Sequence, residues 1–158
     1  MTTIIADDAL ALQRLYHWER TAPEQVALTQ PLGGGVVRDY TWREVLDQSR
    51  RMAAHLQGLG LQPGDRIAIL SKNTAHWLMS DFAIWLAGCV SVPLFPTLAP
   101  GTIRQILGHS ESRLLFVGKL DGWDHMKSGV PEGLPCISHP LAPQDAQASY
   151  PRWDDIVA

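Results

Sequence analysis

The sequence contains few groups of residues whose types and spacing suit chemistry. In Ser71-Lys72-Asn73-Thr74, a lysine lies beside a predicted helix N-terminus, an arrangement that can hold an anion. A simpler explanation is that Asn73 or Thr74 caps that helix. Cys136-x-x-His139 contains two types of metal ligand, but no second pair follows at ligand spacing. The simpler interpretation is favoured in each case: a helix cap at residues 73–74 and no metal site at residues 136–139.

Motifs of the common catalytic classes are missing from the sequence. His109-Ser110-Glu111-Ser112 combines an imidazole, two hydroxyls and a carboxylate, but it lies at a predicted helix end with no nucleophile elbow around it. Neither G-x-G-x-x-G nor G-x-x-x-x-G-K-S/T occurs, which argues against a nicotinamide-dependent enzyme. Gly33-Gly34-Gly35 follows a strand but precedes no helix, so it predicts a hairpin turn. The residues alone therefore predict no catalytic group and no bound metal.

Hydrophobic periodicity predicts the elements that would position these residues. Residues 9–20 and 41–60 carry helical stripes, and Thr41 and Glu44 form a capping box at the start of the second helix. Two alternating segments, 25–30 and 36–40, predict a β-hairpin. Beyond a type II turn at residues 62–65, strands and helices alternate. The predicted strands are 66–70, 90–94, 114–117 and 134–138, and the predicted helices are 75–87, 101–110 and 121–127.

This alternation predicts the fold class. Short β-branched strands separated by helices imply right-handed crossovers and a parallel sheet. We therefore expect an α/β fold: a doubly wound, mainly parallel sheet flanked by helices, with an N-terminal helix and a β-hairpin. Residues 1–158 are expected to form a single domain. Residues 139–152 contain three prolines among polar residues and are predicted to be linker-like.

Composition excludes several classes of protein. Charged residues make up 18% of the chain and the net charge is −3, so no nucleic-acid partner is expected. The longest apolar run, residues 82–90, is far shorter than the roughly 20 residues of a membrane helix, so no transmembrane segment is expected. Cys89 lies in an apolar run and is predicted to be a buried thiol, and the two cysteines make no disulfide framework. We expect a cytoplasmic protein, with peripheral contact to a membrane left open.

Three stretches occur in an order and with gaps that resemble one family. They are YTWREV (40–45), GLQPGDRIAIL (60–70) and LAGCVSVPL (86–94). Together they resemble the N-terminal part of the adenylate-forming, or AMP-binding, superfamily, which includes acyl-CoA synthetases, luciferases and the adenylation domains of peptide synthetases. Long-chain fatty acyl-CoA synthetases are the most similar members over SKNTAHW (71–77), FPTL (95–98) and ILGHSES (106–112). The resemblance covers about residues 20 to 138, and Gly108 departs from it where a charged residue would be more usual.

The resemblance implies an acid–thiol ligase that works in two steps. ATP and a carboxylate give an acyl-adenylate and pyrophosphate, and the thiol of CoA then displaces AMP. The implied cofactors are ATP, Mg²⁺ and CoA. The family's phosphate loop, its Mg²⁺ carboxylate, its ribose aspartate and its C-terminal lysine have no counterpart in this sequence. We therefore expect the parent enzyme to be a ligase and these 158 residues alone to be inactive, with no cofactor bound tightly.

The resemblance also implies where CoA would lie. In CoA-forming relatives the loops after the second and third parallel strands are near the approach of CoA. Here those loops contain Phe95, Pro96 and Thr97, and the turn at Lys119. Lys119, with Lys127 a few residues further on, is the candidate contact for a CoA phosphate. The alternative interpretation is a solvated lysine at a strand end.

Two other functions stay open at this point. One is another adenylate-forming enzyme, such as an aryl-CoA ligase or an amino-acid adenylation domain, because the acyl pocket lies downstream of these residues in the family. The other is a short stand-alone interaction module. The expected partners of a parent ligase are a fatty acid or other carboxylic acid and the remainder of the parent chain. A piece separated from that remainder would expose apolar surface, so we expect it to self-associate.

Overall fold

A computed structural model describes residues 6–158 of the chain. Its first elements are α1 (Ala11–Thr21), the hairpin strands β1 (Val26–Gly33) and β2 (Val36–Thr41), and α2 (Trp42–Gly58). The hairpin is antiparallel, and the three glycines at its turn have positive φ angles that favour glycine. The predicted capping box is present: Thr41 Oγ1 accepts a hydrogen bond from Glu44 N–H, and a Glu44 carboxylate oxygen accepts one from Thr41 N–H at 2.8 Å.

Four parallel strands and the helices between them follow. They are β3 (Arg66–Leu70), α3 (Ala75–Leu86), β4 (Val90–Leu94), α4 (Pro100–His109), β5 (Leu114–Val117), α5 (Trp123–Met126) and β6 (Cys136–Ser138). The strand order is β4-β3-β5-β6, so the chain runs outward from β3 to β4 and then returns to build the other side. The bounds of β3, β4 and β5 are those predicted from the sequence, whereas β6 begins two residues later than predicted, at 136 and not at 134.

The sheet separates two hydrophobic cores, because alternate residues of a strand face opposite sides. Ile67 and Ile69 face a core that β3 shares with α1, α2 and α3. Ala68 and Leu70, on the same strand, face a second core beneath α4 and α5. All four of these β3 residues are fully buried. The fold is thus the expected α/β arrangement, a parallel sheet covered by helices on both faces.

Residues 139–152 differ from the linker-like prediction. They contain α6 (Gln144–Ser149), in which Ala146 is fully buried against the second core. The side-chain amide of Gln147 donates hydrogen bonds to the carbonyls of Pro140 and Ala142, at 3.0 and 2.7 Å. A last helix, α7 (Trp153–Val157), buries Trp153 in the first core. The prolines that suggested a linker instead lie in the turns on either side of α6.

One edge of the sheet is covered by another segment of the chain, and the other edge is open within residues 6–158. On one edge, Ser138 of β6 forms a parallel bridge with Arg152, and its N–H donates to the carbonyl of Pro151 at 2.9 Å. On the other edge, β4 pairs with β3 alone within residues 6–158. The segment 150–152 therefore covers one edge and leaves β4 as the open one.

Pro93 lies on the open edge in a position that costs the sheet no hydrogen bond. Val90 N–H points towards β3, where it donates to the carbonyl of Asp65 at 2.8 Å. Backbone groups alternate in direction along a strand, so those of Ser91 and Pro93 face the open edge. This agrees with the expectation that a proline in this strand marks a strand end or edge.

Cys89 and Cys136 are both buried free thiols, as predicted for Cys89. Within residues 6–158, no helix combines the length and the apolar character needed to cross a membrane.

Two histidines are buried in the first core. His76 is 3% exposed, and its ring lies between those of Tyr40 and Trp153. His139 is 1% exposed, and its Nε2 lies 2.8 Å from Ser80 Oγ. Neither ring's Nδ1 atom has a hydrogen-bond partner among residues 6–158. Burial therefore lowers the pKa of His76 to about 4, and burial followed by the charge of His76 lowers the pKa of His139 to about 3.

We expect the fold to lose stability as the pH falls below about 6.5, the ordinary histidine value. The folded-state pKa values of His76 and His139 lie below that value, so in this window the unfolded chain binds more protons than the folded chain. Each histidine would lower the free energy of unfolding by up to about 1.4 kcal/mol per pH unit. Urea unfolding of the chain at a series of pH values between 7.5 and 5 measures this slope.

A matched variant isolates one of the two groups. His76→Phe keeps an aromatic ring between Tyr40 and Trp153 and removes the titrating nitrogens. The variant is expected to show a shallower pH dependence than the unsubstituted chain. Equal slopes for the two proteins would contradict the assignment to His76.

Candidate functional site

The candidate site lies at the carboxyl ends of the parallel strands. In open α/β sheets ligands bind beyond these ends, at the point where the strand order reverses. Here the order reverses between β3 and β5, which lie side by side while their following helices cover opposite faces. Three loops leave this edge, and we call them the strand-end loops: 71–74 after β3, 95–99 after β4 and 118–122 after β5.

The loops after β3 and β5 are bonded to each other. Gly118 N–H donates to the carbonyl of Leu70 at 2.9 Å, and Lys72 N–H donates to the carbonyl of Lys119 at 2.9 Å. An ion pair joins the ammonium of Lys72 to the carboxylate of Asp121. The two loops therefore form one unit at the point where the strand order reverses.

The hydroxyl of Ser71 lies at the centre of this unit. Ser71 is 3% exposed, and its Oγ donates to the carbonyl of Lys72 at 2.6 Å and accepts from Lys119 N–H at 3.0 Å. Gly118 makes room for it: a Cβ on Gly118 would lie 2.1 Å from Ser71 Oγ and 2.7 Å from His139 Nδ1. Only glycine at position 118 leaves the hydroxyl in place.

Two grooves open along the strand-end loops. One, of about 380 Å³, lies between the loops after β4 and β5, and its lining includes Pro96, Thr97, Asp121 and His125. The other, of about 310 Å³, lies between the loops after β3 and β4 and is more apolar. Its lining residues are Ser71, Asn73, Trp77, Pro93, Leu94, Phe95 and Pro96.

The four residues expected near CoA lie at this edge but not in one cavity. Pro96 borders both grooves, while Phe95 and Thr97 border one each. Phe95 is 77% exposed, which is unusual for a phenylalanine side chain. Lys119 is exposed and lines neither groove, although its backbone belongs to the bonded loops.

The lysines near the site differ in how their charge is balanced. Lys72 is paired with Asp121, and Lys127 lies 2.9 Å from Asp145 and 3.5 Å from Asp124. The hydrogen bond to Asp145 raises the pKa of Lys127 above its ordinary value. Lys119 has no ion pair in the part of the chain that the structure describes. It is therefore the cation best able to receive an anionic group.

The positions of Cys136, His139 and Thr74 bear on the metal-site and anion-site alternatives. Within residues 6–158, no three His, Cys, Asp or Glu side chains are grouped as metal ligands. Cys136 and His139 lie on opposite faces of the sheet, because Cys136 belongs to the second core and His139 contacts Phe116 and Trp153 of the first. Thr74 is the helix cap: its Oγ1 accepts from Trp77 N–H at 3.1 Å. The anion-binding alternative for residues 71–74 is thus not needed to explain that segment.

Sequence inspection missed Ser71, Gly118 and Asp121 as members of one site. Ser71 and Gly118 each come directly after a buried strand, and this was the available signal. Their contact depends on β3 and β5 being neighbours, although 43 residues lie between the end of β3 and the start of β5. Ile67 and Leu114 are paired across the sheet only after two crossovers. Local spacing does not record that pairing.

Comparison with known proteins identifies the family. The sequence profile of the family described as AMP-binding enzyme matches residues 15–151. Long-chain-fatty-acid–CoA ligase FadD15 of Mycobacterium bovis is 38% identical over 102 residues, which are 65% of this chain and 17% of that protein. An indenyl-propanoyl:CoA ligase of Mycobacterium tuberculosis is 33% identical over 122 residues, 77% of this chain and 24% of that protein.

Solved structures agree with the sequence match at the level of the fold. The structure of acetoacetyl-CoA synthetase from Streptomyces lividans superposes with a TM-score of 0.80 at 22% identity, over 92% of this chain and 24% of that one. The chain spans a quarter or less of the length of these relatives. Because the family profile covers most of its residues, the chain belongs to the AMP-binding enzyme family, whose members include acyl-CoA ligases.

Proposed function

We propose that this chain is the N-terminal part of an ATP-dependent long-chain fatty acid–CoA ligase. The observation that carries the proposal is the 38% identity to FadD15, which is named as a long-chain-fatty-acid–CoA ligase. The bonded strand-end loops are consistent with it, because they present Lys119, which has no ion pair within residues 6–158, at the edge of the sheet where ligands bind.

The proposed reaction has two steps. The fatty acid carboxylate attacks the α-phosphorus of ATP, which forms the acyl-adenylate and releases pyrophosphate. The CoA sulfur then attacks the acyl carbon, a thioester forms, and AMP leaves with the electron pair of the broken acyl–oxygen bond. The thiol proton goes to solvent or to a base outside these residues.

The described residues fit CoA better than they fit ATP with Mg²⁺. Among residues 6–158 no carboxylate pairs with Lys119, and a phosphate of CoA would supply an anion for it. Phe95, Pro96 and Thr97 border the adjacent grooves and would contact the rest of the CoA chain. For Mg²⁺, residues 6–158 offer no grouped set of three donors. ATP and Mg²⁺ would therefore be held by other parts of a longer protein, and this chain alone would be inactive.

A related ligase with another acyl group is the second candidate. The indenyl-propanoyl:CoA ligase matches more of this chain than FadD15 does, 77% against 65%, at a lower identity. Its name describes a ring-bearing acid and not a long-chain one. An aryl-CoA ligase or an amino-acid adenylation domain would share these N-terminal residues, since the acyl pocket is expected elsewhere. A stand-alone interaction module stays an alternative only if the polypeptide encoded by the complete reading frame forms no acyl-adenylate.

Substrate assays on the polypeptide encoded by the complete reading frame would test the proposal. We expect pyrophosphate release to be fastest with long-chain fatty acids in a panel that also holds short-chain, aryl and amino acids. The 158-residue chain alone is expected to release none. Preference for an aryl or amino acid would replace the substrate class, and no release with any acid would contradict the ligase assignment.

Lys119→Ala tests the CoA contact in the same polypeptide. Loss of a charge-assisted contact to phosphate should raise the apparent KM for CoA about tenfold or more. Lys127→Ala is the matched control, because that nearby lysine is already bonded to Asp145 and Asp124. An unchanged KM for CoA in Lys119→Ala would remove Lys119 from the site.

We further propose that the isolated chain self-associates through its β-hairpin. Leu32, Val36 and Val37 are each more than half exposed, at 51%, 58% and 53%, on a two-stranded sheet that no third strand joins within residues 6–158. Sedimentation velocity should show association that increases with concentration. Val36→Lys combined with Val37→Lys should reduce it, whereas Leu59→Lys, which replaces an equally exposed residue outside the hairpin, should not. A monomer at every concentration would refute the proposal.

A further inference from the structure

The contacts of Ser71 suggest a role beyond packing. Within residues 6–158 its hydroxyl makes one of four hydrogen-bonded links that join the end of β3 and its loop to the loop after β5, and one of the two made by side chains, the second being the Lys72–Asp121 pair. The other two run between backbone atoms and would form with many residue types at position 71. Replacing Ser71 would therefore change one link and leave the others in place.

The link made by Ser71 acts on one particular amide. Lys119 N–H donates to Ser71 Oγ, and the carbonyl of Lys119 accepts from Lys72 N–H. Both backbone polar groups of Lys119 are thus bonded, and the direction in which its Cα–Cβ bond leaves the loop is fixed. The side chain itself is exposed.

The surroundings of Ser71 hold the hydroxyl in one place. Gly118 has no Cβ, and the space that a Cβ would fill contains Ser71 Oγ on one side and His139 Nδ1 on the other. Gly118 does not have a positive φ, so the need for glycine here is steric and not conformational. The Lys72–Asp121 pair spans the same two loops and neutralises the other lysine of this unit.

We propose that Ser71 is a positioning residue that directs Lys119 towards a phosphate group of the acceptor thiol. This inference rests on the proposed function, because it needs Lys119 to contact that phosphate. Ser71 touches the loop backbone and acts on the ligand only through Lys119. Loss of its hydroxyl would free the Lys119 amide and widen the range of directions that the ammonium can take.

A double-mutant cycle in the complete polypeptide, with CoA as the varied substrate, tests this role. Ser71→Ala should raise the apparent KM for CoA roughly three- to tenfold, the effect of one hydrogen bond, and change kcat at saturating CoA less than KM. In the Lys119→Ala background, Ser71→Ala should have an effect within about twofold, because its route to the ligand is gone. Ser49→Ala is the matched control: Ser49 Oγ is equally buried and donates to the Val45 carbonyl at 2.7 Å, but it lies in α2, away from the loops.

The outcomes separate this inference from the proposed function. If Lys119→Ala raises KM but Ser71→Ala raises it by the same factor in both backgrounds, the positioning role is overturned and the CoA site stands. If Lys119→Ala leaves KM unchanged, the CoA contact and this inference both fail. If no thioester forms with any acid, the proposed function itself fails.

Two further measurements cover a variant that folds poorly. Ser71→Cys places a larger but weaker acceptor on the same Cβ, and it should give a KM between those of the unsubstituted protein and Ser71→Ala. Amide hydrogen exchange should show Lys119 N–H to be protected in the unsubstituted protein. Exchange as fast as that of an exposed loop amide would overturn the inference without any substitution.

Discussion

The structure depends on β3 being paired on both sides and covered on both faces. It bonds to β4 and β5, and residues Ile67, Ala68, Ile69 and Leu70 are all fully buried. A strand in this position must be apolar along its buried length, and it must connect to parallel neighbours through crossovers that cover the sheet. The crossover helices, the two cores and the shared edge of the strand-end loops all follow from this one requirement.

Local signals in the sequence were sufficient for most of the architecture. Short, mainly apolar segments bounded by turn residues located β3, β4 and β5 to the residue, and the Thr41–Glu44 box located the start of α2. These features depend on residues close together in the chain. The burial of His76 depends on a distant partner, Trp153, which residues near it in the chain do not reveal. The packing of residues 139–152 depends on the second core, whereas their prolines and polar residues favoured a linker.

The location of the candidate site could be predicted from the sequence, but the hydrogen bonds and ion pairs within it could not. Parallel strands and the reversal of their order indicate which edge holds a ligand, and the resemblance selected Phe95, Pro96, Thr97 and Lys119 on that edge. No local pattern indicates that Asp121 neutralises Lys72 while Lys119 has no ion pair among the described residues. That difference arises from tertiary contacts, and it decides which of the two lysines is available to an anion.

The position of Pro93 also determines how the sheet can grow. Segment 150–152 occupies the β6 edge, so any added strand would have to join at β4. Of the outward-facing backbone groups of β4, Ser91 supplies an N–H and Pro93 supplies none. An incoming strand would find acceptors there but a single donor. This edge therefore discourages indiscriminate pairing with other chains, and it would accept only a strand whose own donors match the two carbonyls.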